Sequence, residues 1–160
     1  MGKKSYYDVM TDAIGLPDTY YGTRGKLYYT DEEHALCQGS IDEKHKTYDK
    51  VILVNLSGST LHKKFIQAKS IVEKLIQRYP KCLVILTGDE YCKDQAFEHP
   101  QVISYVGSQT NGFRSVALKC KYVDLTLSLE SGLALVAHSW AAPCLQLLTA
   151  ASWDNHVKYA

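Results

Sequence analysis

The stretch Val51–Thr60, which reads VILVNLSGST, decides the fold of this chain. Its near-continuous apolar run, Val51–Leu56, is typical of a strand that is covered on both faces in a parallel sheet. The small polar residues Ser57–Thr60 predict a turn, and the helical pattern that follows them predicts a crossover helix. The stretch is therefore interpreted as the first strand and turn of a βαβ unit.

The chain beyond this stretch continues to alternate helical patterns with apolar runs. Apolar side chains recur at helical spacing over 60–78, and Pro80 ends this predicted helix. The alternation predicts an α/β fold with a Rossmann-like, doubly wound parallel sheet and right-handed crossovers. Ligands of such sheets bind beyond the carboxyl ends of the strands. The other predicted elements are strands at 83–87, 102–106, 123–127 and 144–148 and helices at 112–120 and 131–141.

Residues 1–48 differ from the rest of the chain, because they are polar, rich in tyrosine and interrupted by glycines and a proline. Short helices are predicted at 5–14 and 31–38, the second with Thr30 as N-cap and acids in its first turn. These residues contain too few apolar side chains to bury a core. They are therefore predicted to form an interdomain arm along another protein surface, while 49–160 forms the globular domain. Ligand stacking by the paired tyrosines is the alternative.

The composition excludes several classes of partner. A formal net charge of +1 shows no basic excess, which argues against a nucleic-acid partner. No apolar run approaches the roughly 18 residues of a membrane span, and no apolar signal-peptide core follows the N-terminal lysines. The five cysteines are widely spaced without a C-x-x-C pair, and the histidines lack metal-ligand spacing. These features predict a reduced, cytoplasmic chain with neither a metal site nor a cofactor.

The loop after the first predicted strand is a candidate anion site. Small residues let the backbone approach a ligand, hydroxyls and free amides at a helix start can hold an anion, and Lys63 or Lys64 can add a positive charge. Neither a Walker A loop nor a G-x-G-x-x-G sequence is present, so a plain N-cap with solvated lysines remains the alternative. The candidate phosphate-binding residues of this loop are Ser57, Ser59, Thr60 and Lys63.

Two further loops carry acids or hydroxyls after predicted strands. Glu90 follows a strand and a glycine, a position from which a carboxylate can accept both hydroxyls of a ribose, although a solvated loop acid fits as well. Ser131 is predicted as an N-cap, and the amides near Gly132 can face a phosphate. Glu130 would repel that phosphate, so it is better suited to accepting sugar hydroxyls. His138 lies two helical turns further on and is interpreted as structural.

Residues 49–152 together resemble the C-terminal domain of glycosyltransferase family 9, the ADP-heptose:lipopolysaccharide heptosyltransferase family. The hallmark of that family is an acid, Ser or Thr, Gly and an Ala-rich helix that ends at x-Pro, which is similar to SLESGLALVAHSWAAP at Ser128–Pro143. Its phosphate loop is similar to Ser57–Phe65, in which Lys63 takes the place of the phosphate-binding lysine. The ribose-binding acid of the family lies in the loop after the second strand, and Glu90 occupies this position here.

The resemblance implies a GT-B architecture. This chain is then the donor-binding half, and an N-terminal Rossmann domain, absent from these residues, binds the acceptor and supplies the catalytic base. Residues 14–38 are similar to the family's interdomain connection. The implied reaction moves a heptose-like sugar from a nucleotide diphosphate sugar, such as ADP-heptose, to a lipopolysaccharide-type glycan or glycolipid acceptor.

Three expectations follow for the chain by itself. It is expected to bind the donor without transferring the sugar, because the domain that supplies the base is missing. It is expected to self-associate through an apolar face that the other domain would cover. It is expected to lie in the cytoplasm or at the inner face of the membrane.

The resemblance also implies a role for each candidate residue, with two departures from the family. The family has His where this chain has Leu135, and mostly Asp where it has Glu130. With these departures, the resemblance does not specify which sugar is bound. Two alternatives for the function also remain: a non-catalytic nucleotide-binding or interaction module and a nucleotide-sugar 2-epimerase-like domain. The implied donor contacts are Ser57, Ser59, Thr60, Lys63, Ser131 and Gly132 for the phosphates, Glu90 for the ribose and Glu130 for the sugar.

Overall fold

The computed structural model describes residues 13, 15, 26–58, 63–108 and 112–148. Strands β1–β5 of this described part are Lys50–Asn55, Cys82–Thr87, Val102–Ser104, Leu125–Leu129 and Cys144–Leu147. Helices α1–α4 are Asp31–His45, Ala68–Arg78, Phe113–Lys119 and Gly132–Ser139, and a 3₁₀ helix spans Glu90–Gln95. The strands form one sheet in the order β3-β2-β1-β4-β5.

This sheet confirms the predicted Rossmann-like, doubly wound fold. β1 lies between β2 and β4, with Val51 opposite Leu83 and Ile52 opposite Leu125. Every strand pair is parallel, so consecutive strands must be joined by crossovers. The chain builds outward from β1 to β3 and then places β4 on the other side of β1. The carboxyl ends of β1 and β4 therefore flank a topological switch point.

Both faces of the sheet are buried, as the apolar runs predicted. Successive side chains of a strand point to opposite faces. Ile52 and Val54 pack in one cluster with Val72 of α2, whereas Val51 and Leu53 pack in a second cluster with residues of α1, α3 and α4. Helices thus cover both faces, and the loops that follow the strands are left along one edge.

Helix α1 begins as predicted but is longer than the sequence pattern indicates. The Thr30 hydroxyl accepts the Glu33 N–H at 3.2 Å, and Glu33 Oε2 accepts the Thr30 N–H at 2.8 Å, which together form a capping box. The predicted end at residue 38 is wrong, because the helix continues through Gly39. Ile41, which is 1% exposed, packs in the cluster on the second face of the sheet. This packing offsets the low helix propensity of glycine.

The first crossover helix begins later than predicted. Helix α2 starts at Ala68, so the predicted helix over 60–78 is wrong for 63–67. The chain there returns to the end of β1 instead, and the Phe65 N–H donates to Leu56 O at 2.9 Å. Phe65 is buried although it precedes the helix. Hydrogen bonds to the strand end therefore replace helical ones in this segment.

The remaining predicted elements are present in the described residues, with ends that differ by a few residues. The third strand stops at Ser104, and β4 begins at Leu125. The predicted helix at 5–14 lies outside the described residues except for Ala13. The longest described helix, α1, has 15 residues, and no helix of the described part is long and apolar enough to cross a membrane.

Candidate functional site

The loops that follow the strands open onto a cleft of about 590 Å³ at the carboxyl edge of the sheet. It lies at the switch point between β1 and β4, which is where doubly wound sheets bind their ligands. Loops that are distant in the sequence therefore meet at one site. The lining residues are Asn55, Ser57, Gly58, Thr87, Gly88, Asp89, Glu90, Tyr105, Gly107, Ser108, Gly112, Phe113, Val116, Ser131, Gly132 and Leu133.

The structure brings together predicted site residues from the loops after β1, β2 and β4. Those that line the cleft are Ser57, Glu90, Ser131 and Gly132. Two others, Lys63 and Glu130, form an ion pair with each other and are not among the lining residues. The last two, Ser59 and Thr60, lie outside the described residues.

Asn55, the last residue of β1, connects the two strands that flank the switch point. Its side-chain amide donates to Ser57 O at 2.7 Å and lies 3.0 Å from both Ser128 Oγ and Ser131 Oγ. Asn55 is 5% exposed, and a buried amide is costly unless its N–H groups are used. The sequence pattern did not single out this residue; the available signal was a polar side chain at the end of an otherwise apolar strand.

Ser57 and Tyr91 join the loop after β1 to the loop after β2. The Ser57 hydroxyl accepts the Asp89 N–H at 3.3 Å, and the Tyr91 hydroxyl donates to Gly58 O at 3.3 Å. Burial raises the pKa of the Tyr91 phenol above its ordinary value of 10.0, and the phenol is a donor at neutral pH. Together with the contacts of Asn55, these hydrogen bonds join the loops after β1, β2 and β4.

Glu130 is a buried carboxylate whose counter-ion is Lys63. The Glu130 side chain is 1% exposed, and Lys63 Nζ lies 2.9 Å from its Oε2. A buried carboxylate without a counter-ion is strongly unfavourable. Lys63 also folds over Gly58, where any Cβ atom would collide with the lysine side chain. The predicted phosphate-binding lysine and the predicted sugar-binding acid are thus brought together, with the charge of the lysine directed at the carboxylate.

Glu90 lies exposed at the cleft, at the start of the 3₁₀ helix, where Lys93 Nζ is 2.5 Å from its Oε1. Gly107 lies beside it with a φ of +66°, and a Cβ atom there would approach Glu90 Oε2 to 2.6 Å. Any other residue at this position would be strained and would displace the carboxylate. Gly107 begins the loop 107–112, which follows the third predicted strand and is among the loops where a ligand is expected, but the sequence pattern did not single out this residue.

Phe113, the first residue of α3, is an exposed aromatic side chain of the cleft. It is 60% exposed, and a Cβ atom at Gly132 would lie 3.6 Å from its ring. The ring therefore lies against the start of α4. An exposed ring beside hydroxyl and carboxylate groups suits a ligand that combines an apolar ring face with polar groups. The helical pattern around Phe113 carried no signal of this exposure.

His138 lies on α4 away from the cleft, in agreement with its interpretation as structural. Its Nε2 lies 3.5 Å from Gln146 Oε1 on β5, and it is not among the lining residues. The contact joins α4 to the neighbouring strand.

The fold and the position of the cleft define a Rossmann-like domain similar to those of GT-B glycosyltransferases. Among solved structures, the chain is similar to the ADP-heptose LPS heptosyltransferase II of E. coli, with 15% sequence identity and a TM-score of 0.67 over 92% of this chain and 46% of that one. It is also similar to a glycosyl transferase family 9 protein from Veillonella parvula DSM 2008, with 14% identity and a TM-score of 0.68 over 99% of this chain and 48% of that one.

These likenesses agree with the resemblance found in the sequence, and at such identities they establish the fold. The chain spans about half the length of each of the two solved structures. No protein-family model and no curated protein matches the chain.

Proposed function

We propose that this chain is the donor-binding domain of a glycosyltransferase and that it binds a nucleoside diphosphate sugar in the cleft. The observation that carries the proposal is the convergence of Ser57, Glu90 and Gly132 from three loops at the switch point. The two solved structures of similar fold, one named as a heptosyltransferase and one as a family 9 glycosyl transferase, support it.

The diphosphate binds at the start of α4 in this proposal. Gly132 and Leu133 line the cleft, and the N–H groups at a helix start have no acceptor within the helix. The positive end of the helix dipole favours an anion at that point. Amides that are already oriented can stabilise the charge that develops on the leaving diphosphate.

The loop after β1 supplies further phosphate contacts in this proposal. Ser57 lines the cleft, and Ser59 and Thr60 follow it in the chain. The Lys63 ammonium has three N–H groups, so its contact with Glu130 leaves donors for a phosphate. Glu130, the ion-pair partner of Lys63, is the acid that we propose for a hydroxyl of the transferred sugar.

Glu90 holds the ribose in this proposal. It is exposed at the cleft, and a carboxylate after the second strand of a doubly wound sheet can accept both ribose hydroxyls. The ribose would replace Lys93 as the main partner of the carboxylate. Gly107 leaves the space that this arrangement requires.

The whole reaction also needs a base that takes the acceptor proton and a surface that orients the acceptor. We propose that an N-terminal Rossmann domain supplies both, with 1–48 as the arm between the domains and 49–160 as the donor domain. The donor is ADP-heptose-like and the acceptor a lipopolysaccharide-type glycan or glycolipid, at the cytoplasmic face of the inner membrane. The chain by itself then binds the nucleotide, transfers nothing and tends to self-associate.

A non-catalytic nucleotide-binding or interaction module is the second candidate function. Leu135 favours it, because this side chain is 45% exposed on α4 where family 9 glycosyltransferases carry a histidine. An apolar side chain at that position can contact a protein surface but cannot donate a hydrogen bond to a sugar.

Titration calorimetry of the 160-residue chain with ADP, UDP and GDP tests the proposal. Binding of one of these nucleotides supports a donor site if Glu90→Gln weakens it and Glu73→Gln leaves it unchanged. Glu73 is the control because it is an exposed carboxylate of α2, away from the cleft. Absence of binding to all three favours the interaction module, and a preference for UDP favours an epimerase-like domain. Transferase turnover by the chain alone would contradict the proposal that it is inactive in isolation.

A further inference from the structure

The hydroxyl of Ser131 has no hydrogen-bonding capacity left for a ligand. Its Oγ lies 3.0 Å from Asn55 Nδ2 and 3.4 Å from the Ala134 backbone nitrogen, and both of these groups can only donate. They therefore occupy the two lone pairs of Oγ. The single proton of Ser131 is left for its remaining partner, Ser128 Oγ at 2.9 Å.

Ser128 accepts that proton because its own is used elsewhere. Ser128 is fully buried, and its hydroxyl donates to Leu129 O at 2.9 Å. The donors thus run in one direction, from Ser131 to Ser128 and on to the Leu129 carbonyl. Reversing the direction would leave the carbonyl without this donor, which is unfavourable in a buried site.

Asn55 holds this chain of hydroxyls in place from the neighbouring strand. One N–H of its amide is directed at Ser57 O at 2.7 Å, and the other is shared between Ser128 and Ser131, each at 3.0 Å. Asn55 ends β1, whereas the two serines lie at the end of β4 and just beyond it. The amide therefore sets the position of the start of α4 relative to the loop after β1.

We infer that Asn55 is a positioning residue for the diphosphate. Ser131 acts as a member of the hydrogen-bond network that Asn55 holds in place, and its hydroxyl does not donate to the ligand. Ser131 caps the amide of Ala134, and the amides of Gly132 and Leu133 remain for the anion. The inference rests on the proposed function, because it assigns the recognition of the diphosphate to backbone amides whose direction the side chains set.

A double-mutant cycle on ADP affinity tests the inference. Asn55→Ala and Ser131→Ala are each expected to weaken ADP binding, measured by calorimetry, about tenfold, since residues of one network are coupled. The double variant is expected to bind no more weakly than the weaker single variant. Losses that multiply to about a hundredfold would show that Ser131 contacts the ligand independently, and they would overturn the inference.

Two further variants separate positioning from stability. Ser131→Thr keeps the capping hydroxyl and is expected to restore ADP affinity to within about threefold of the native chain. Asp124→Asn removes a carboxylate that accepts the Val51 N–H at the opposite edge of the sheet, so it is expected to lower Tm without changing the affinity. If Asp124→Asn weakens ADP binding as much as Asn55→Ala does, the effect of Asn55 is structural and the inference fails.

The outcomes also distinguish the inference from the proposed function. If the native chain binds none of the nucleotides, both the inference and the proposed function are overturned. If the native chain binds ADP and the losses of affinity of the two single variants multiply in the double variant, only the inference is overturned. If Asn55→Ala does not fold, the cycle is repeated with Ser128→Ala, for which the same lack of additivity is expected and for which multiplying losses again overturn the inference.

Discussion

The amine of Lys63 lies 2.9 Å from a carboxylate oxygen of Glu130, whose side chain is 1% exposed, while that of Lys63 is 26% exposed. The lysine precedes α2 and the acid follows β4, so the pair bridges two loops on either side of the switch point. The charge of the predicted phosphate-binding lysine is therefore directed at the carboxylate of Glu130.

The ion pair predicts that removing Lys63 alone destabilises the protein more than removing both charges. Lys63→Met should lower the free energy of unfolding by about 3 kcal/mol, because it removes the ammonium that lies 2.9 Å from a buried carboxylate. Combining it with Glu130→Gln should restore much of that loss. Urea unfolding of the single and double variants measures both effects. The exposed Lys69, whose amine lies 4.0 Å from Glu73, is the matched control. Lys69→Met should change the free energy of unfolding by about 0.5 kcal/mol or less. Equal losses of stability in Lys63→Met and Lys69→Met would contradict the prediction.

The contact between Glu33 and Arg114 predicts an acid-dependent loss of stability. Hydrogen bonds from Arg114, at 2.7 and 2.8 Å, hold the pKa of the Glu33 carboxyl at about 2, below its ordinary value of 4.5. A carboxyl whose pKa is lowered by folding stabilises the fold above its unfolded pKa and ceases to do so as the pH falls through its folded pKa. Native stability should therefore fall between about pH 4.5 and pH 2.

Unfolding midpoints over this pH range measure the contribution of Glu33. Glu33→Gln should flatten the dependence, because the amide does not titrate, whereas Glu32→Gln, which changes an exposed acid of the same turn, should leave it as in the native chain. An unaltered pH dependence in Glu33→Gln would show that the acid-labile contacts lie elsewhere.

The capping box of α1 predicts a local contribution to stability. Thr30→Ala should lower the free energy of unfolding by about 1 kcal/mol, since the Glu33 N–H loses its acceptor. Thr47→Ala, at an exposed position beyond the end of the same helix, should have little effect. Denaturant unfolding measures the free energy of unfolding of both variants, provided that the m-value is unchanged. An equal loss in Thr47→Ala would indicate that removal of a threonine side chain, and not loss of the cap, is responsible.

Gly107 predicts a combined loss of stability and binding. Gly107→Ala places a Cβ atom 2.6 Å from Glu90 Oε2 at a φ of +66°, so it should cost about 1 kcal/mol and weaken nucleotide binding by displacing the carboxylate. Gly39→Ala is the matched control, because a Cβ atom there meets nothing within 4 Å and alanine favours the helix. Thermal unfolding and calorimetry measure the two effects; an undiminished nucleotide affinity in Gly107→Ala would argue against the role of Glu90.

Much of the fold was predictable because its signals are local. The apolar run Val51–Leu56 marked a buried strand, and Thr30 followed by acidic residues marked the start of a helix. The end of that helix was not predictable, because it depends on the packing of Ile41 against the sheet. The loop at 63–67 was mistaken for helix for the same reason: its hydrogen bonds go to the end of a strand.

By itself, the sequence determined the α/β fold and the strand ends after which Ser57, Glu90 and Ser131 lie, because apolar periodicity and turn residues act between neighbours in the chain. Only the tertiary structure decided that Lys63 pairs with Glu130 and that Asn55 holds Ser131. Both contacts require β4 to lie beside β1, and strand order results from the packing of the whole sheet. No local pattern specifies which strand ends will meet, so these partners appear only once the sheet is assembled.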